Sequence, residues 1–238
     1  MKIGAIITAR STSSRYPRKQ LAMLGGLPMI SQIIKKLEYL KDLDQIILST
    51  TTNQEDDELC AVAWKAGATI NRGPEHNLLE RDMQAIFVHD LDAVLPIFGD
   101  SPFVSNAYAQ ILIDALRAEP NPEQYDFIIG LKKLCNMPGF GASIKMKSAF
   151  EKDEMLMHKY RDQYSYEQYW IAEREEPELF KSLEIDTSHI SPLGVTPMKL
   201  CIDWKLENLF WNKVIAWLGY YPETVDDFNK AFSGMTEL

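Results

Sequence analysis

Arg10, Arg15, Arg18 and Lys19 crowd into ten positions near the N-terminus, interleaved with Ser11, Thr12, Ser13 and Ser14, in a chain whose formal charge is −9. Cations gathered against the global sign, among hydroxyl and backbone N–H donors, suit a bound polyanion such as a triphosphate. A solvated basic loop would have the same composition. The segment before the loop, Ile3-Gly4-Ala5-Ile6-Ile7-Thr8, is short, branched and uncharged, and it reads as a buried strand that delivers the loop to one end of a sheet.

The rest of the chain supplies the partners of that strand. Pro28 suits the first turn of a helix, and Met29, Ile30, Ile33, Ile34, Leu37 and Leu40 recur at helical spacing. A strand is expected over Asp44 to Thr50, then a helix with an acidic first turn (Glu55, Asp56, Asp57) that runs to about Lys65 and stops at Gly67. Next come a strand at 68–71, a loop at Arg72-Gly73-Pro74-Glu75-His76, a helix from Asn77 to His89, a strand over Asp92 to Phe98, a helix from Ser105 to Arg117 and a strand from Tyr125 to Leu131. This alternation predicts an α/β fold with a mostly parallel, doubly wound sheet covered on both faces. Ligands of such sheets bind outside the carboxyl ends of the strands. Both Arg10 to Lys19 and Gly99-Asp100-Ser101-Pro102 follow strands, so they can face one pocket.

After Leu131 the rhythm breaks. Residues 133–197 are read as an inserted arm within a single domain spanning 1–238. The aromatic run from Tyr160 to Trp170 is either a wall and contact surface or ordinary core. Met198 to Asp203 reads as a returning strand, Trp211, Ile215 and Leu218 mark an apolar helix, Pro222 opens a last helix, and the tail after Ser233 is expected to fray.

Ala-Arg-x-x-Ser-x-Arg-x-Pro-x-Lys from Ala9 to Lys19, then Leu21 and Gly25-Gly26-Leu27-Pro28-Met29-Ile30, resembles the opening of the cytidylyltransferases that make CMP-linked acidic sugars. These are the CMP-octulosonate and CMP-sialate synthetases and the spore-coat polysaccharide protein F group, with the last looking closest. The resemblance implies a nucleotide-diphospho-sugar transferase-like, Rossmann-like fold. It also implies transfer of CMP from CTP to a small acidic acceptor, a sugar acid for a surface glycan, with loss of pyrophosphate, in a homodimer whose contact and acceptor wall use the 133–197 region. That chemistry must screen phosphate charge and hold Mg2+, a cation that takes oxygen ligands from one or two carboxylates, water and phosphate.

Carried over residue by residue, the resemblance puts Arg10, Ser13, Arg15 and Lys19 on the triphosphate, with Lys19 near the bond that breaks, and backbone groups around Ala9 on the base. Arg72, in an Arg-Gly pair, falls near the nucleotide, though a turn and N-cap would explain it equally. Gly99-Asp100-Ser101-Pro102 resembles the Gly-Asp-x-Pro motif whose aspartate holds the metal. The alternative for Asp100 is an Asx turn or helix N-cap. Lys199 to Asp203 followed by Glu207 and Leu209 resembles the late segment that gives the second metal ligand, Asp203. Trp204, Lys205 and Asn208 depart from that pattern, as do Pro96 and Phe98 before Asp100. These departures leave room for an unusual acceptor such as a phosphonate or other small acid, or for a nucleotide-binding protein without turnover.

At 238 residues and 46% hydrophobic, the chain can bury a full core. Its acidic balance carries no footprint for nucleic acid. Cys60, Cys135 and Cys201 are too scattered for a zinc site or disulfide framework, and with no secretory leader or membrane-length apolar run a cytoplasmic protein is expected. His76, His89, His158 and His189 lack metal spacing. Dinucleotide, P-loop and hydrolase-elbow motifs are missing, as is the Gly-rich opening of uridylyl- and guanylyltransferases.

Overall fold

The computed structural model describes residues 1–130, 139–187 and 200–234. The parts of the sequence reading that rest on Leu131, Cys135, His189, Met198, Lys199 and the final residues lie outside them.

Strand β1 (Ile3–Thr8) lies in the interior of the sheet, between β4 and β6, and its side chains are apolar on both faces. Ile3, Ala5 and Ile7 point to one side of the sheet and Ile6 to the other, as the two-residue period of a strand requires. A small hairpin follows, β2 (Met23–Leu24) and β3 (Leu27–Pro28), turned by Gly25 and Gly26 at φ 57° and 89°. A two-residue hairpin loop with both φ values positive is open to glycine and costly to most other residues.

Helix α1 (Met29–Leu37) leads to β4 (Gln45–Thr51), α2 (Asp57–Lys65), β5 (Thr69–Gly73), α3 (Leu78–Val88), β6 (Ala93–Phe98) and α4 (Asn106–Ala118). Asn77 and Ser105 cap α3 and α4 by accepting from the N–H groups of Glu80 and Tyr108. Beyond them come β7 (Phe127–Gly130), β8 (Ser143–Met146), α5 (Lys147–Tyr160), α6 (Trp170–Glu175) and β9 (Ser182–Ile185), then α7 (Lys205–Leu218) and α8 (Val225–Ser233). The seven-stranded sheet has the order β5-β4-β1-β6-β8-β7-β9. It is parallel from β5 to β6, β8 lies antiparallel between β6 and β7, and β9 rejoins parallel to β7.

Helices α1, α2 and α4 cover one face, through residues such as Ile33, Leu59 and Leu112. Helices α3 and α5 cover the other, through Ile86 and Phe150. A third cluster docks α7 and α8: Phe103 is fully buried, with its ring centroid 4.4 Å from Trp211, 5.4 Å from Tyr221 and 5.7 Å from Phe228. Among the described residues no helix is long and apolar enough to cross a membrane.

Four expectations change. Arg72 and Gly73 belong to β5, where Gly73 pairs with Thr51, and are not in a loop. Leu200 to Asp203 form no strand, because their backbone meets a loop and not a ladder: Ile202 N donates to Asp100 O at 2.8 Å. The last helix begins at Val225, where the Thr224 hydroxyl accepts from Asp227 N, and not at Pro222. The described part of 133–197 is continuous with the sheet, to which it contributes β8 and β9.

Phe103→Ala should cost about 3–5 kcal/mol of unfolding free energy, from lost transfer energy and the cavity left behind. Urea denaturation measures it, and a loss below about 1 kcal/mol would mean that α7 and α8 are held by other contacts.

Candidate active site

The tips of β1 and β6 are tied by Gly99 N donating to Thr8 O at 2.9 Å. The approach needs a glycine, since a Cβ at position 99 would lie 2.6 Å from that of Ala9. Past Ala9 the basic loop closes on itself, with Ser11 O accepting from Arg18 N at 2.9 Å and from Ser13 N at 3.0 Å. Arg18 takes a left-handed conformation, φ 57°, which turns the chain so that Lys19 enters the protein and is only 5% exposed.

Asp56 anchors this loop. It is fully buried and accepts from Ser11 N at 2.6 Å, Thr50 Oγ1 at 2.9 Å and Thr51 Oγ1 at 2.5 Å. Burial pushes its pKa up, but the hydrogen bonds from Thr51, Ser11 and Thr50 outweigh burial and hold the carboxyl below its ordinary value. In sequence Asp56 reads as a first-turn acid, and nothing there marks it as the loop's anchor.

Lys19 Nζ donates to Asp100 Oδ2 at 2.8 Å and to Asp203 Oδ1 at 3.0 Å. Arg15 pairs with the same Asp203 oxygen at 2.8 Å, and its guanidinium lies 5.9 Å from the centre of the Trp204 ring. Two basic-loop side chains and two aspartates 103 positions apart thus form one cluster. Asp203 is held there from behind, since Ile202 is bonded to Asp100 O and Glu207 accepts from Trp204 N at 2.9 Å.

The cluster opens into a cleft of about 450 Å3 lined by Ala9, Arg10, Ser13, Arg15, Lys19 and Asp100, among others. Arg10 lies between two carboxylates of the same cleft, 3.0 Å from Glu167 and 3.6 Å from Glu75. Ser13 Oγ accepts from Tyr16 N at 3.3 Å and so also shapes the loop. Arg72 is not among the lining residues. Its guanidinium donates to Thr51 O at the end of β4, Asn53 O on the turn after it and Asp57 at the start of α2.

Sequence reasoning missed Glu75, Glu167, Gln20 and Arg81 in the cleft. Glu75 accepts from Asn53 Nδ2 at 2.6 Å and from Thr12 Oγ1 at 3.0 Å, and the Asn53 bond is the largest cause holding its pKa below the ordinary value. Gln20 Oε1 and Arg81 Nε are buried and have no hydrogen-bond partner among the described residues.

A metal fits by donor chemistry. Asp100 and Asp203 place carboxylate oxygens on either side of one point, now taken by Lys19 Nζ. No third acid or histidine joins them among the described residues. Two carboxylates with the remaining positions left to water and phosphate match magnesium better than zinc.

A second cavity of about 750 Å3 shares Phe98 with the cleft and runs to Lys145, Tyr169, Trp170 and Glu173. It opens where the β6–β8 ladder stops at Val94, two residues before Pro96, which has no N–H to continue it.

Residues 4–222 match the family model described as cytidylyltransferase, and the chain belongs to that family. It is 31% identical to the spore coat polysaccharide biosynthesis protein SpsF of Bacillus subtilis over 114 residues, 46% of this chain and 48% of that one. It is 30% identical to a 3-deoxy-manno-octulosonate cytidylyltransferase of Maricaulis maris over 124 residues, 51% of this chain and 47% of that one. The chain spans about half the length of these curated relatives. A solved cytidylyltransferase of Leptospira borgpetersenii shares the fold, with a TM-score of 0.81 at 21% identity over 100% of this chain and 96% of that one.

Asp56→Asn should lower stability at neutral pH by about 1–3 kcal/mol, through weakened hydrogen bonds at a buried site. Because the folded-state pKa is depressed, the carboxylate's contribution is present above its unfolded pKa and is lost as pH falls through the folded value. Urea unfolding at neutral and acidic pH should therefore show a smaller acid loss in Asp56→Asn than in the natural protein. Equal acid losses would deny Asp56 its anchoring role.

Proposed function

We propose that this chain transfers CMP from CTP to a small acidic acceptor, a sugar acid for a surface glycan, and releases pyrophosphate in a magnesium-dependent reaction. The observation that carries the reading is the meeting of Lys19 with Asp100 and Asp203 at the mouth of a cleft that adjoins a second cavity across Phe98. The names of the two relatives support the acceptor class.

In this reading the triphosphate lies along the basic loop, with Lys19 and Arg15 turning from the aspartates to the phosphate oxygens. Arg10 joins them when it leaves Glu75 and Glu167. Asp100 and Asp203 would hold Mg2+, which supplies charge neutralisation at the phosphates when bound. The acceptor occupies the second cavity, where its oxygen faces the α-phosphorus past Phe98 and pyrophosphate departs toward Lys19 and Arg15. The new P–O bond forms as the bond to the bridging α–β oxygen breaks, and the buried Lys19 ammonium neutralises the charge that develops on the departing pyrophosphate. The apolar walls of that cavity, including Pro96, Phe127, Ile129 and Trp170, favour a second reading in which the acceptor is a non-sugar acid such as a phosphonate.

Pyrophosphate release with CTP and Mg2+, measured across a panel of sugar acids and phosphonates, tests both readings. Asp100→Asn should reduce turnover by at least about a hundredfold, and Lys19→Ala by about a hundredfold to a thousandfold, with circular dichroism unchanged. Normal turnover in either variant would remove that residue from the reaction.

A further inference from the structure

Helix α7 is apolar on both faces. Trp211, Val214 and Leu218 point inward to the cluster around Phe103 and are buried. The exposed residues of the helix are Lys205, Leu206, Leu209, Lys213, Ala216 and Trp217, with no acid and no neutral polar side chain among them. Leu206 is 77% exposed and Leu209 49%. A helix that faces water carries a polar outer face, and one that is apolar all round is covered by something. Two neighbours widen the stripe. Trp204, 50% exposed, precedes the helix, and Met23, 54% exposed, is fixed beside it because Asn208 and Asn212 donate to Met23 O at 3.3 and 3.0 Å.

Charge decides what covers it. The exposed charges of α7 are Lys205 and Lys213, in a chain of formal charge −9. Glu207, the one acid of the helix, turns back to accept from Asp203 N and Trp204 N. A second copy of the chain fits poorly. Lys205 and Lys213 lie four positions on either side of Leu209, so an antiparallel two-fold pairing through Leu209 sets each lysine against a lysine of the other copy. A parallel pairing sets each against its own counterpart.

We infer that this stripe docks the protein on the surface of an anionic lipid bilayer. Leu206, Leu209 and Met23 supply aliphatic side chains for the boundary between headgroups and acyl chains. Trp204 supplies an aromatic ring of the kind that settles at that depth, and Lys205 and Lys213 meet anionic headgroups. Single-stranded nucleic acid would call for rings on which bases stack, whereas this stripe is mainly aliphatic. The contact is interfacial, since α7 has 14 residues and is too short to span a bilayer. Because Trp204 follows Asp203, docking holds the mouth of the cleft beside the membrane. None of the docking residues lines the cleft, so the inference stands apart from the proposed reaction.

Co-sedimentation tests this with vesicles of phosphatidylcholine alone and of phosphatidylcholine mixed with phosphatidylglycerol. The natural protein is compared with a Leu206→Ser, Leu209→Ser double variant and a Lys205→Gln, Lys213→Gln double variant. Thermal melting checks folding and analytical ultracentrifugation gives the oligomeric state. At low salt the natural protein should bind the mixed vesicles at least about tenfold more tightly than the neutral ones. Each double variant should bind the mixed vesicles at least about tenfold more weakly than the natural protein. If the natural protein stays in the supernatant, or if the folded variants pellet as it does, the stripe is not a membrane contact. A natural dimer that the leucine variant dissociates would make the stripe a contact between copies. Retention of a single-stranded oligonucleotide that the lysine variant loses would make it a nucleic-acid contact, and either result would overturn the inference.

Discussion

The cluster of Lys19, Asp100 and Asp203 is the constraint on which the site depends. A buried lysine alone, or two neighbouring carboxylates alone, would be expensive in a folded protein, but together they compensate one another. The three residues come from the loop after β1, the tip of β6 and the approach to α7, so the cluster also joins the two halves of the chain. One ammonium, that of Lys19, holds the two aspartates together. The site is therefore kept in register by an interaction within the protein, which in the proposed reading substrate exchanges for its own.

The sheet makes this exchange possible. Neighbouring parallel strands bring the ends of β1 and β6 side by side, and the bond from Gly99 N to Thr8 O fixes their separation. The antiparallel β8 pairs with β6 only at Ala93 and Val94. Among the described residues the carboxyl-terminal half of β6 has no strand partner on that side, and Phe98 lines both the first cleft and the second cavity. In the proposed reading the two reactants lie on either side of that single side chain.

The parts of this arrangement with local causes were legible in the sequence. The uncharged run from Ile3 to Thr8 dictates a buried strand, and four cations in a short hydroxyl-rich stretch mark the loop after it. The cytidylyltransferase resemblance read from that loop and the later aspartate motifs agrees with the family match over residues 4–222. What escaped was set by distant partners. Arg81, between Glu80 and Asp82 on a helix, looks like solvated surface until Asn71 and Gly73 are seen beneath it. Asp56 reads as a favourable first-turn charge, although its carboxylate caps the basic loop of a separate strand. Leu200 to Ile202 have the composition of a strand, but the acceptor available to Ile202 is the carbonyl of Asp100. Neither strand propensity nor periodicity carries that information.

The most direct test of the site follows the α-phosphorus itself. CTP labelled with radioactive phosphorus at the α position is incubated with the chain, Mg2+ and a mixture of sugar acids and phosphonates, and the products are separated. Label in an acceptor conjugate, with the β and γ phosphates leaving together as pyrophosphate, is the outcome expected of Lys19, Asp100 and Asp203 acting at the α-phosphorus. Label retained in CDP beside free inorganic phosphate would place the attack at the γ-phosphorus and contradict it.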